Sequence, residues 1–236
     1  MANRLLTIDG NIGSGKTTLL AKLKEKYADD KDIIFLREPV DEWESIKNEE
    51  GTSMLQLFYA NQEKYSFPFQ MMAFISRYAL LKDAMKNNSG KIIFTERSLF
   101  TDKFVFAKML HDMGKIEGVN YQIYNKWFDT FSVDYPVHHC IYVKTDPEIC
   151  HERIMKRSRT GEDSIPLDYL TSCNKYHGEM ITSISHMFEN PQEDIIELNG
   201  NVDIFLRIFN KLAVSNNTTS NHEKYSFNAH SRKFRS

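Results

Sequence analysis

The run Gly10-Asn11-Ile12-Gly13-Ser14-Gly15-Lys16-Thr17 fills every fixed position of the pattern G-x-x-x-x-G-K-[S/T]. It constrains the fold more than any other stretch. Such a loop works where a buried strand hands the chain to the start of a helix. Leu5-Leu6-Thr7-Ile8 before it reads as that strand, and Thr17 to Leu23 after it as the opening helix. Glycines let the backbone wrap closely around an anion, with the loop N–H groups turned inward. The helix terminus adds partial positive charge. Lys16 can reach β- and γ-phosphates, and Thr17 can ligate Mg²⁺. Gly10, Asn11, Ile12, Gly13, Ser14, Gly15, Lys16, Thr17 and Thr18 form the expected cradle. The loop points to a nucleoside triphosphate and leaves the phosphate acceptor open.

The rest of the chain supports one layered domain. Strand-like runs fall at Leu5–Ile8, Ile33–Leu36, Lys91–Thr95, His139–Val143 and Asp194–Leu198. Helix-period segments lie between them, at Met71–Met85, Phe104–Met113, Tyr121–Phe131, Pro147–Lys156 and Pro166–Ile184. The alternation predicts an α/β fold of the P-loop NTPase type: five parallel strands, helices on both faces, and an arginine-rich lid. At 236 residues one core is the default. We assign it to residues 1–214, with 215–236 as a flexible polar tail, since that end is rich in Asn, Ser, Thr and Lys. A net charge of −2 argues against a protein that coats nucleic acid. Cys140, Cys150 and Cys173 have no zinc-ligand spacing and suit a reducing compartment. The first strand follows Met1 closely, so no leader is expected in the sequence as given, and no apolar run approaches the ~20 residues of a membrane span. The cytoplasm is the expected location.

Charged residues cluster where the strands end, which is where ligands gather in such sheets. Glu38, in Arg37-Glu38-Pro39-Val40-Asp41-Glu42-Trp43, follows the second strand and is placed to accept a proton from an attacking hydroxyl. An ordinary surface Glu before a Pro turn is the alternative. Glu96 and Arg97 end the third strand. Glu96 would support Mg²⁺ or its waters, and Arg97 would bridge the acceptor oxygen, Glu38 and the transferring group; a salt-bridged helix start competes with this. After the fourth strand, Arg153 leads to Lys156-Arg157-Ser158-Arg159-Thr160-Gly161-Glu162. This basic run with a glycine suits a lid over phosphates, at about residues 153–165. A solvated helix end would look similar.

Together these residues resemble the deoxyribonucleoside kinases, of the deoxycytidine and deoxyguanosine kinase type. The likeness covers roughly residues 4–212. It rests on the loop, Glu38-Pro39-Val40 through Trp43, Phe67 to Gln70, Glu96-Arg97-Ser98, Arg157 and Arg159, and Ile165-Pro166-Leu167-Asp168-Tyr169-Leu170. The resemblance implies phosphoryl transfer from ATP or another NTP, with Mg²⁺, to a deoxyribonucleoside 5′-hydroxyl, in nucleotide salvage. By it Glu38 is the base, and Lys16, Arg97, Arg153, Arg157 and Arg159 offset phosphoryl charge. Tyr59 and Glu162 hold the sugar 3′-hydroxyl. Gln70 reads the base edge, between aromatic walls from Trp43, Phe69 and Phe106. Arg77 and Asp102 match an Arg–Asp pair of members that accept deoxycytidine and purine deoxynucleosides, which ranks thymidine lower; a structural salt bridge is the competing reading. Family members are mostly homodimers, for which the Met71–Met85 helix is one candidate surface. Two departures stand out. Gly161 replaces an acidic lid residue. His177-Gly178-Glu179-Met180-Ile181 replaces His-Glu-x-Trp-Leu, which puts local helix packing in doubt. A thymidylate-like monophosphate kinase and a non-catalytic nucleotide-binding subunit are the competing functions.

Overall fold

The computed structural model describes residues 2–157 and 165–202. Five strands form one parallel sheet: β1 (Arg4–Gly10), β2 (Ile33–Leu36), β3 (Ile92–Glu96), β4 (His139–Lys144) and β5 (Ile195–Asn199), in the order β2-β3-β1-β4-β5. Each lies within two residues of its sequence-based position. Parallel neighbours need crossover segments, and these cover the sheet. β1 therefore buries consecutive residues rather than alternate ones: Leu5, Leu6, Thr7 and Ile8 are all inside.

The crossovers are α1 (Lys16–Lys26), α2 (Val40–Ser45), α3 (Met54–Ala60), α4 (Gln62–Asn87), a π-helix (Thr101–Ala107), α5 (Lys108–Asp112), α6 (Gly118–Ser132), α7 (Pro147–Arg157), α8 (Leu167–Ile184) and α9 (Pro191–Asp194). Leu5 and Ile93 stand in register on one face. They pack with Phe74 and Leu81 of α4 and with Tyr124 and Phe128 of α6. Val105, Cys140, Met180 and Ile184 form a second cluster beneath α8. A third joins Trp43, Phe58, Phe69, Met109 and Leu170, and carries the walls of the site.

Three features differ from the sequence reading. Helix α4 starts at Gln62, nine positions before Met71, and runs through Pro68. Asn61 caps it, its side chain accepting from Lys64 N at 3.1 Å. Pro68 removes one backbone bond, but burial of Phe69, Gln70, Ala73 and Phe74 beyond it holds the helix together. Helices α2 and α3 were not foreseen. Ser53 and Gln56 form a reciprocal capping box at the start of α3. Finally, α8 is continuous across Gly178. Met180 fills the place expected to lack an aromatic and is 1% exposed, so the doubt about packing does not hold.

Candidate active site

The carboxyl ends of β1 and β3 and the segment after β2 converge on one cavity of about 300 Å³. The phosphate loop forms one end. Gly10 and Gly13 are there for space. A Cβ on Gly10 would meet the Val143 carbonyl at 2.5 Å, and one on Gly13 the Cys150 carbonyl at 2.5 Å, with φ at +147° and +78°. The loop thus lies directly on β4 and α7. Lys16 is 4% exposed and its Nζ donates to Asn11 O at 2.6 Å. Burial first, then the nearby Arg97, lowers the Lys16 ammonium to about 7. Thr17 Oγ1 donates to Glu96 Oε1 at 2.6 Å. Arg153 reaches Ser14 O at 3.4 Å, and Arg153 and Arg157 line the cavity wall together with Thr18.

Gly10, Asn11 and Ser14 stand behind the loop rather than on the cavity wall. Asn11 Nδ2 donates to Leu170 O at 2.9 Å, tying the loop to α8. Gly10 O accepts from Arg97 Nη1 at 2.7 Å, and Ser14 O accepts from Thr145 Oγ1 at 3.2 Å.

Midway along the cavity stands Glu38. Its Oε1 accepts from Arg77 Nη2 at 2.9 Å and from Arg97 Nε at 3.1 Å. Burial alone would raise this carboxyl, but Arg97, Arg77 and Lys16 more than offset it and hold it at about 2. Arg97 has φ +66°, the only non-glycine residue with positive φ among those described. Such a backbone is costly and persists only where its surroundings enforce it. Here Arg97 N donates to Ile8 O, and Asp9 Oδ1 accepts from the next residue, Ser98, through N and Oγ at 2.8 and 2.9 Å.

The far end is a slot for a flat group. Phe58 and Phe69 stack at 4.5 Å, Trp43 meets Phe69 edge-on at 5.6 Å, and Phe106 lies under the Arg97 guanidinium at 5.0 Å. Gln70 is 2% exposed, and its Oε1 has no hydrogen-bond partner in the protein. Arg77 closes the slot. Its Nε donates to Asp102 Oδ2 at 2.9 Å, Nη2 to Asp102 Oδ1 at 3.3 Å and to Glu38, and Nη1 to Glu96 O at 3.1 Å. Burial works against both charges of the Arg77–Asp102 pair. Asp102 is raised by it, whereas the two carboxylates keep Arg77 firmly protonated. Tyr59 lines the cavity beside Tyr169, their rings 6.4 Å apart and edge-on.

Every site residue expected from the sequence and described here lies on this cavity or directly behind it. Arg159 and Glu162 lie outside the described residues, as does the 215–236 tail. Leu55, Phe58 and Ala73 also line the cavity and were not singled out, and Tyr169, quoted only as part of the Ile165–Leu170 run, lines it too. The Ser-x-x-Gln cap at Ser53 was the available signal for Leu55 and Phe58, since it starts the helix that carries them.

A sequence model of the deoxynucleoside kinases matches residues 6–226. The chain belongs to the deoxynucleoside kinase family. A probable deoxycytidine kinase of fowlpox virus is 34% identical over 205 residues, covering 85% of this kinase and 80% of the relative. Deoxycytidine kinase 2 of Gallus gallus is 32% identical over 197 residues, covering 74% and 72%. The mitochondrial thymidine kinase 2 of Homo sapiens is 28% identical over 207 residues, covering 87% and 74%. The kinase is therefore an enzyme with a nucleotide as phosphate donor and a nucleoside as acceptor, built on a parallel sheet. Among its described residues no helix is long and apolar enough to cross a membrane.

Proposed function

We propose that this kinase moves the γ-phosphoryl group of ATP, or another NTP, to the 5′-hydroxyl of deoxycytidine or a purine deoxynucleoside, in preference to thymidine. One observation carries the reading. A single cavity joins the phosphate loop to an aromatic slot, with the Glu38 carboxylate between them. A hydroxyl acceptor needs a proton acceptor at that midpoint, and the Arg77 and Arg97 cations beside it are engaged by Glu38 itself rather than left open for an acceptor phosphate.

Glu38 accepts the 5′-hydroxyl proton. At about 2 it is a weak base, which suits a loose transition state in which the hydroxyl loses its proton late. Its first task is to orient the hydroxyl. Lys16, Arg97, Arg153, Arg157 and Arg159 offset charge on the moving group. Thr17 and Glu96 supply hard oxygen ligands at the loop, and such a pair, with phosphates and water, is what Mg²⁺ takes. Held there, the ion would supply positive charge against the phosphates of the donor. Tyr59 and Glu162 hold the 3′-hydroxyl. The base stacks between Phe106 and the Phe69–Trp43 wall, and Gln70 pairs with its edge, which satisfies the buried Oε1. Four of the five Arg77 N–H groups are committed to protein acceptors. Asp102 is thereby fixed as an acceptor for an exocyclic amino group, and it repels the O4 of thymine.

A second copy of the chain is the partner we propose. Val119, Ile123 and Trp127 stand exposed at four-residue spacing on α6, a stripe suited to antiparallel pairing across a two-fold axis. The Met71–Met85 stretch, by contrast, turns most of its apolar residues inward. Three buried free cysteines fit a cytoplasmic setting in nucleotide salvage.

The test is initial rates with Mg-ATP on deoxycytidine, deoxyadenosine, deoxyguanosine, thymidine and dTMP, with Glu38→Gln alongside. We expect turnover of the first three, weak thymidine activity, and a variant slower by ~10²–10⁴-fold that still binds ATP. Turnover of dTMP alone moves the protein to the monophosphate kinases. ATP binding with no acceptor used makes it a non-catalytic subunit.

A further inference from the structure

His177 is fully buried and has no part in the transfer scheme above. It is carried by α8, and its ring stands behind the cavity wall, against Arg97 and Phe106. Its Nδ1 lies 2.7 Å from the Cys173 carbonyl, so Nδ1 bears the proton and donates it. In a neutral ring that leaves Nε2 as a bare acceptor. Nε2 lies 3.5 Å from Nη1 of Arg97, at the long end of hydrogen bonding. The same Nη1 donates to Gly10 O at 2.7 Å. The two hydrogens of Nη1 therefore have two acceptors, one on the phosphate loop and one on α8.

The ring is held on its other sides as well. It stacks on Tyr142 at 6.4 Å, nearly parallel, and meets Phe106 edge-on at 6.2 Å. Phe106 in turn lies under the Arg97 guanidinium. A protonated ring here would set a second cation against Arg97. Burial first, and Arg97 second, push the imidazole down to about 3, which keeps it an acceptor across the working range of the enzyme.

We propose that His177 is a positioning residue: together with Gly10 O, its neutral Nε2 holds Nη1 of Arg97, so that the guanidinium keeps Nε on Glu38 and leaves Nη2 for the transferring phosphoryl group. The proposal rests on the role given to Arg97. It also explains how a side chain on a strained backbone is aimed, since no residue of β3 supplies these acceptors.

The experiment pairs His177→Leu, which keeps bulk and removes the acceptor, with His177→Gln, which restores one, and crosses both with Arg97→Lys. We expect His177→Leu to lower kcat on the order of tenfold, with KM for nucleoside and ATP within about twofold. His177→Gln should recover most of that loss. In the Arg97→Lys background neither change should lower kcat further. A kcat within about twofold of wild type for His177→Leu, or additive losses in the double variant, overturns the proposal. So does an equal loss in the Leu and Gln variants with a matching fall in Tm, which marks a packing role. If Arg97→Lys alone leaves kcat unchanged, the role of Arg97 is what fails. Should the variants not fold, ¹⁵N spectra of the wild-type histidines decide. A neutral Nδ1–H ring at His177 from pH 5 to 8 is expected, and a proton on Nε2 overturns the proposal.

Discussion

Glu38 and Lys16 sit in the same cavity, and their surroundings lower both, which favours the charged form of Glu38 and the neutral form of Lys16. Three cations hold Glu38 at about 2, so it stays a carboxylate throughout the usable pH range and contributes no acid limb to the rate profile. Lys16 at about 7 does contribute. In the free enzyme it loses its proton as pH rises through neutrality. Bound phosphates then favour the charged form. We expect kcat/KM for the nucleotide to fall above pH 7 while kcat stays level to higher pH, as measured in paired profiles. A flat kcat/KM from pH 6 to 9 would show that Lys16 keeps its proton without the nucleotide. Much of this chemistry was legible at the residue level, because strand ends are short and Glu38, Glu96 and Arg97 follow directly from strand positions. The resemblance supplied the Arg77–Asp102 pair and the contact of Arg97 with Glu38, and both are present. What was not legible is that Arg77 also holds Glu38, 39 positions away, since no spacing reveals it.

Helix α8 makes the same point one level up. Gly178 lies inside it, with ordinary helical dihedral signs, and a Cβ there would meet nothing within 4 Å. Gly178→Ala should therefore raise stability by about 0.5–1 kcal/mol through a less disordered unfolded chain, with kcat unchanged. Thermal melts at one scan rate would show it, and a lower Tm would mean that the helix needs the glycine. Gly13→Ala predicts the reverse. The Cys150 carbonyl blocks its Cβ, so nucleotide binding should be lost, as read by titration calorimetry. The five strands were visible as apolar runs because parallel strands bury both faces. The π-helix was not. Thr101 to Ala107 reads as ordinary helix, and its wider turn is set by contacts: Thr101 Oγ1 donates to Asp9 Oδ1 at 2.6 Å, and Asp102 reaches Arg77. Those contacts bring Asp102 and Phe106 together on the cavity wall. The helix-period segment at Met71 marked only part of α4, whose first turns run through Pro68 because burial there outweighs one lost hydrogen bond.

For the molecule as a whole, buried His177 makes stability depend on acid. Its pKa is about 3 in the folded protein against about 6.5 when unfolded, so the unfolded chain binds the extra proton between those values. No stability is lost to this group above pH 6.5, and up to about 1.4 kcal/mol per pH unit is lost as pH falls toward 3. Urea unfolding from pH 7 to 4 should show a shallower decline for His177→Gln than for wild type, and identical slopes would refute the linkage. Assembly is testable separately. Trp127→Glu places a charge in the exposed α6 stripe and should convert a dimer to a monomer in sedimentation, while activity per chain is kept. The double engagement of Arg77 reaches further than either effect. One guanidinium is shared between the group that would sort bases and the group that would start the chemistry. A lineage that shifted its diet by altering Asp102 would disturb the charge on Glu38 in the same step, and would pay in speed on every nucleoside it takes. Broad appetite and fast turnover are therefore bound to one side chain, and new preferences should arise more easily along the aromatic walls than at this corner.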